Sequence, residues 1–478
     1  MSTGRGAGER WVAAMSAALV GGCSLVAPGD DYFVSGGAGG GGGAPPTTDD
    51  GPCTPAPPCA DGAGPATRVV GPAEAADLHS IVLEAAAGSV IELEDGTYTL
   101  NGPLVFARDE VTLRSKSGDA AAVTIDGQGY PGAIQIDASR VTLSAITVLN
   151  LGGGGLGSIG VAVAPSGGRR LQGIRLCGVD LRNAGAEAFV SVRRTGGGVA
   201  DCGRIERSRF ELDAAAAGLC ADPPSATLPS GLTVAGGRGW VVTGNAFSGF
   251  TCAPLDPRAP ACPNPPFAVR FDQGARDSTV ENNCIIGAAR GIAFGVQEFS
   301  DERRIYSDAP YDGAPLSHID GMIRNNVILG GGCYDTGIEL NWTRLPRVLH
   351  NTVLADGYIG YRAIDARFDV SQTTVWNNVV DPSGVNTREG GQMDAQANVS
   401  VAQADFDTAF TDAASYDFHL RPRAAALVDS GVPLPTGGDG GLDLDGAPHQ
   451  PESPDVGADE LGAPATDPIT PCQLIAPG

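Results

Sequence analysis

Between residues 111 and 398 one short pattern recurs: an apolar residue, two polar ones, often Asn, and another apolar residue two positions on. The best copies are Val280-Glu281-Asn282-Asn283-Cys284-Ile285, Ile323-Arg324-Asn325-Asn326-Val327-Ile328 and Val375-Trp376-Asn377-Asn378-Val379-Val380. The second polar position falls at Ser144, Cys177, Ser208, Asn245, Asn283, Asn326, Asn351 and Asn378, at intervals of 33, 31, 37, 38, 43, 25 and 27 residues. A period of roughly 20–50 residues signals a repeat architecture. Within each copy the apolar residues lie two or three apart, and Gly, Asp or Asn breaks the run. This describes strand and tight turn, with no room for a crossover helix. Such strands are buried when each turn of chain stacks on the last. The pattern therefore predicts an all-β solenoid over residues 89–405, of about ten parallel coils. An Asn at the same inward corner of each coil would form a hydrogen-bonded ladder.

The ends of this region carry other patterns. Residues 72–87 read as one amphipathic helix: Pro72 suits its first turn, Leu78, Ile81, Val82 and Ala85 share a face, and Gly88 ends it. Its expected role is to cap the open N-terminal end of the solenoid. Residues 406–478 change character, with Asp443-Leu444-Asp445-Gly446 and Asp455-Val456-Gly457-Ala458-Asp459-Glu460.

These features together resemble the right-handed parallel β-helix of the pectin-lyase-like kind. The opening segment adds to the likeness: Ala75-Ala76-Asp77-Leu78-His79-Ser80-Ile81, then Ala87-Gly88-Ser89-Val90-Ile91-Glu92-Leu93, then Asp95-Gly96-Thr97-Tyr98. The resemblance spans residues 68–405 and implies that the C-terminal segment is a second cap. It implies a fold rather than a reaction, because function resides in sites placed on folds.

Composition places this solenoid outside the cytoplasm. Arg5 and Arg10 precede the apolar run Trp11–Val20, and Val20-Gly21-Gly22-Cys23 resembles a lipobox. Residues 1–22 are expected to be a lipoprotein signal and Cys23 the lipidated residue. An ordinary cleaved signal is the alternative. Residues 23–66, with the glycine run Gly36–Gly43 and Pro-rich sequence after it, read as a disordered tether. A bacterial cell-envelope location follows, or secretion if the anchor is absent. Of eleven cysteines, lipidation leaves an even ten. Cys53 with Cys59 and Cys252 with Cys262 read as local disulfides, Cys202 with Cys220 as a third pair, and Cys177 as a buried small side chain. Net charge is −24, which argues against nucleic acid as a partner. The sequence gives no sign of self-association, so a monomer is expected.

Candidate chemistry follows from register. Ile338 lies 13 residues before Asn351, and Ile364 lies 14 before Asn378. Glu339 and Asn341 should then stack beside Asp365 and Arg367, facing outward, while Ile338, Leu340, Ile364, Ala366 and Phe368 face inward. Val269 lies 14 before Asn283, which puts Arg270 and Asp272 on the same outward face two coils earlier. Ala293 and Gly295 form a shallow floor between them. The insertion Glu298–Asp320, holding Tyr306 and Tyr311, is placed to wall that floor. Stacked about 5 Å apart, Glu339 and Asp365 would push one carboxyl pKa up, which suits general acid–base work or a bound Ca2+. A solvated face with Arg367 as charge partner is the plainer alternative. A hydrolase would use Glu339 and Asp365; a lyase would use Arg270 or Arg367 as base, since the one lysine, Lys116, lies in an early turn. Asp443, Asp445, Gly446 and Glu452 match positions of a calcium loop, but prolines interrupt it and no helices flank it. Two functions fit: a surface or periplasmic lipoprotein that binds, and in one version cleaves, a polysaccharide or cell-surface glycan along this face, or a non-catalytic adhesion protein whose solenoid is a spacer.

Overall fold

The computed structural model describes residues 51–59, 64–150, 159–183, 188–213, 229–251, 265–296, 303–308, 316–331, 334–357, 362–434, 440–462 and 471–475. The signal, Cys23, the glycine run, the Cys252–Cys262 loop and Tyr311 lie outside the described residues. The chain is a right-handed parallel β-helix. Each coil visits three sheets in turn. The first sheet has 14 strands, from Arg68–Val70 to Gln392–Gln396; the second has 11, from Gly96–Thr99 to Val399–Ser400; the third has 10, from Leu104–Phe106 to Val385–Arg388. All three consist of parallel pairs in chain order, as in Val242↔Val280↔Ile323↔Val348↔Val375. Like residues stack on like through the interior, and the Phe210 and Phe247 rings lie 4.4 Å apart on adjacent coils.

The corner between the first and second sheets explains the Asn-Asn pattern. The first polar residue takes a left-handed backbone at Arg207, Gly244, Asn282, Asn325, His350 and Asn377, a conformation that Gly and Asn adopt most readily. This turns the next residue inward. Asn283 Oδ1 accepts from the Asn245 backbone N–H at 3.0 Å and from Asn245 Nδ2 at 2.9 Å. The same pair of bonds joins Asn283 to Asn326, Asn326 to Asn351, and Asn351 to Asn378. All five ladder Asn are buried. The ladder runs further than expected at one end, where Asn398 accepts from Asn378. At the other end it starts at Ser208, whose N–H donates to Asn245 Oδ1. Ser144 and Cys177 are not ladder residues. They pair with each other and with Glu206 on the outward side of the first sheet, and the inward corner of those coils is apolar, at Ile146 and Val179. Asn326→Ala should cost about 1–3 kcal/mol by stranding the Asn283 and Asn351 groups it serves. Denaturant melting checks this; an unchanged midpoint would remove the ladder as a stabilising element.

The expected N-terminal helix is shorter and in two parts: a 3-10 turn Pro72–Asp77, then one α-helical stretch Leu78–Leu83. Glu74 tightens the start by accepting from the Gly71 N–H. Leu78 and Val82 are buried against the first coil, with Ile81 and Ala85 beside them, so the cap works through the predicted face. The C-terminal segment shields a flank. Phe410–Asp412 pairs antiparallel with Asp417–Leu420. From there Phe410, Phe418, Leu427, Leu444 and Val456 cover outward apolar residues of the second sheet, among them Ile286, Val327, Leu329 and Leu354.

The disulfides correct the local pairings read from spacing. Cys53 bonds Cys202, Cys59 bonds Cys177, and Cys284 bonds Cys472. Residues 51–59 have no strand or helix of their own. They lie across the outward side of the first sheet as a strap, so each cysteine meets the sheet beneath it rather than its neighbour in sequence. Cys177 is buried, as expected, but on the outward side of the sheet and bridged to Cys59.

Candidate functional site

The third sheet stacks the predicted site residues in the expected register. Arg270 pairs with Ala293, Ala293 with Glu339, and Glu339 with Asp365. Asn341 pairs with Arg367 in the next outward column. Short outward strands and tight coils hold these side chains on neighbouring rungs about 4.8 Å apart.

The arrangement is layered. Glu339, Asn341, Asp365 and Asp272 are buried, and guanidinium groups stand over them. Arg388 makes three contacts with Asp365, at 3.0, 3.1 and 2.5 Å. Arg270 bonds Asp272 through Nε at 2.7 Å and through a second, shorter contact. Arg367 bonds Glu389 at 2.9 and 2.6 Å. Arg290 bonds Asp335 at 2.7 Å and stands 3.9 Å from Glu339. Glu339 itself takes a short hydrogen bond from Asn341 Nδ2. Burial pushes the Glu339 carboxyl up to about 7; Arg290 opposes the rise, and the charges of Asp335 and Asp365 add to it. The site therefore holds a carboxyl that keeps its proton to higher pH than usual, next to a carboxyl bonded by arginine. The carboxylates Asp272, Asp365 and Glu389 each have an arginine partner, which is the charge pairing expected of the plainer reading, made by Arg388 at Asp365 rather than by Arg367. The same pairing engages both arginines that a lyase would need as base, and it leaves no group of acids on this face arranged for Ca2+ among the described residues.

Two expectations about the surroundings change. Phe368 does not point inward: it takes a left-handed backbone at the corner after the third sheet. There its ring stacks on Trp342 at 4.4 Å, with the Arg367 guanidinium 4.5 Å from its centre. Trp342 is also left-handed. Bulky residues rarely adopt this conformation, so the stacked pair marks a strained rim beside Asn341 and Arg367. Tyr306 stands away from Glu339. Its hydroxyl donates to the Gly274 carbonyl at 2.8 Å, and Arg238, Arg276 and Arg304 approach its ring. Arg304 goes on to donate two buried hydrogen bonds to the Asp201 carboxylate. Residues 304–306 of the insertion pack against the Gln273–Arg276 corner and Arg238.

Sequence reasoning missed Arg290, Arg388 and Trp342. The sign for Arg388 was the Asn398 copy of the corner pattern, which adds a coil after Asp365. The signal for Arg290 was weak, because it sits at the strand start, outside the alternation used to find outward residues.

No protein-family model matches the sequence, and no curated protein matches it. Among solved structures, pectate lyase Pel9A is similar with TM-score 0.50 and 12% identity, over 83% of this chain and 97% of that one. An alginate lyase from Paenibacillus sp. str. FPU-7 aligns with TM-score 0.44 and 15% identity, over 70% of this chain and all of that one (100%). The chain has the pectin-lyase-like fold. At this identity the likeness extends to the fold alone, and the chemistry has to be argued from the residues of the third sheet.

Proposed function

We propose that the outward face of the third sheet, from Arg270 to Arg388, binds a polysaccharide lying along the stack of coils. The observation that carries this reading is the layer of Arg270, Arg290, Arg367 and Arg388, each partly exposed and paired with an acid that is buried at Asp272 and Asp365, half-buried at Asp335 and exposed at Glu389, in a chain of net charge −24. Oriented guanidinium groups spaced by one or two rungs suit the hydroxyl and carboxylate oxygens of a sugar chain. Glu339 favours cleavage as a second reading, because a carboxyl whose proton is held to higher pH, stacked on a second carboxyl at Asp365, is a pairing that acid–base hydrolysis can use. A lipid anchor at Cys23 would place this face at the cell envelope, with residues 24–50 as the tether; Cys23→Ser should then release the protein from membranes on fractionation.

A glycan array, followed by incubation of the bound glycans with and without calcium, tests the reading. Arg290→Ala with Arg367→Ala should weaken binding roughly tenfold or more. Glu339→Gln with Asp365→Asn should abolish turnover if cleavage occurs. Binding that survives the arginine replacements with the fold intact would move the site elsewhere. A wild-type protein that binds no glycan would leave the solenoid as a spacer.

A further inference from the structure

A second cluster of ligating side chains lies in the C-terminal segment, away from the third sheet. His419 lies in the hairpin strand Asp417–Leu420. Asp445 sits in the turn that starts at Asp443, and Asp459 follows the stretch that pairs with this turn through the Leu444 N–H and the Ala458 carbonyl, 3.0 Å apart. One ligating atom from each of His419, Asp445 and Asp459 lies within 4.8 Å of the other two.

The hydrogen bonds assign roles to the imidazole nitrogens. Nδ1 is 2.5 Å from Asp417 Oδ1, and Nε2 is 3.1 Å from Asp445 Oδ1. Asp417 on Nδ1 is the carboxylate backing found behind many metal-bound histidines, and Nε2, which faces Asp445, would exchange its proton for a metal ion. Asp459 is held in place by the Leu420 N–H at 2.7 Å. Asp443 supplies an independent sign. It is completely buried, and its Oδ1 accepts from the Asp445 and Ala447 N–H groups. Its Oδ2 has no hydrogen-bond partner, although the Glu460 backbone stands near enough to favour its charge. A buried carboxylate oxygen without a partner is costly. Three carboxylates, Asp417, Asp445 and Asp459, thus stand around one imidazole, which as a cation would neutralise only one of them.

We propose that His419, Asp445 and Asp459, with Asp443 beside them and Asp417 behind the imidazole, form a site for one divalent transition-metal ion that pins the hairpin to the 443–460 segment. The donor set decides the class. One imidazole nitrogen with carboxylate oxygens suits Zn2+ or Mn2+, whereas a calcium site draws on oxygen alone. The calcium-loop reading of the sequence needed Glu452 as a ligand, but Glu452 is exposed and outside the cluster. Asp443 and Asp445 are used here with partners brought from 26 residues before Asp445 (419 to 445) and 14 after it (445 to 459).

The test uses the full chain, stripped with EDTA and dialysed against Zn2+, Mn2+ or Ca2+, with bound metal measured by mass spectrometry. We expect one equivalent of Zn2+ or Mn2+ to be retained on desalting, with a rise in thermal midpoint. Asp417→Asn, which leaves all three ligands, should weaken metal binding roughly 10–100-fold. Asp445→Asn with Asp459→Asn should abolish it, and should leave glycan binding at the third sheet unchanged. No retained metal in the wild type would overturn the site. So would equal metal binding by wild type and both variants, which would place the metal on other residues. Retention of Ca2+ alone would overturn the donor assignment.

Discussion

Replacing His318 by Phe should make the solenoid less acid-labile than the wild type by about 3 kcal/mol between pH 8 and pH 4. His318 lies on the short strand His318–Ile319 and is completely buried. Its ring stacks on Phe294 at 3.9 Å and meets the edge of Phe271 at 6.3 Å. Neither ring nitrogen has a hydrogen-bond partner; the Asp320 backbone is the one neighbour that favours the proton. Burial therefore pushes the imidazole down to about 3. The unfolded value is near 6.5. A folded pKa below the unfolded one means the contribution is whole above pH 6.5 and is lost as pH falls toward 3. At pH 4 about 2.5 of those pH units have been crossed, at about 1.4 kcal/mol each. Buried acids act in the opposite sense. Glu339 and Asp459, each raised to about 7, take up protons in the fold before they do in the unfolded chain, and their strain is relieved on acidification. The wild-type profile alone mixes both effects. The difference between wild type and variant isolates the histidine, because the acids are common to both. Denaturant midpoints at pH 8, 6, 5 and 4 measure it. A difference that stays constant across that range would show that His318 is not held neutral by burial.

The fold was legible because one structural constraint repeats. Each coil from Ser208 to Asn398 has a left-handed or turning residue and then an inward hydrogen-bonding residue at the same corner, and Asn serves both needs. The five central Asn therefore announced the ladder and, through it, the register of Glu339 on Asp365. Where Asn gives way to other residues the signal fails. Ser144 and Cys177 were set two residues off, because an apolar corner at Ile146 or Val179 looks like any other strand residue. The layer of arginines over the site was legible only in part. Arg270 and Arg367 follow from alternation, but Arg388 depends on the coil that pairs Asp365 with Asn386, which is shorter than any interval between the corner residues from Ser144 to Asn378. Tyr306 could not be placed from sequence at all. Its position depends on which of several arginines the insertion meets, and that is a long-range contact with no local trace. The same holds for the metal-ligating cluster, whose residues lie on three separate stretches of the C-terminal segment.

Replacing Cys53 and Cys59 together by Ser should release the strap and cost about 2–5 kcal/mol for each bridge taken alone. The bridges span 149 and 118 residues, and closing loops of that length constrains the unfolded chain strongly. The strap has little else to hold it. Its sequence is Gly51-Pro52-Cys53-Thr54-Pro55-Ala56-Pro57-Pro58-Cys59, which buries almost nothing apolar except Ala56 and the cysteines. Its remaining ties are single hydrogen bonds. The Ala56 N–H donates to the Cys202 carbonyl at 3.0 Å, and Arg204 donates to the Ala56 carbonyl at 3.0 Å. The Cys59 N–H reaches Glu206 at 3.1 Å, while Arg207 and Arg170 donate to the Cys59 and Gly51 carbonyls at 2.7 Å each. Each is worth about 1–2 kcal/mol at most, too little to order nine residues of backbone. Without the bridges, then, the strap should leave the sheet, and Arg170, Arg204 and Arg207 should lose its carbonyls. The two losses will not add, because the bridges are nested and share the strap. Hydrogen exchange at residues 170–207 and the thermal midpoint measure the effect, with dithiothreitol on the wild type as a second route to the same state. Disulfide mapping of a non-reduced digest provides the direct check: Cys53 found joined to Cys59 would dissolve the strap and return residues 51–59 to the tether.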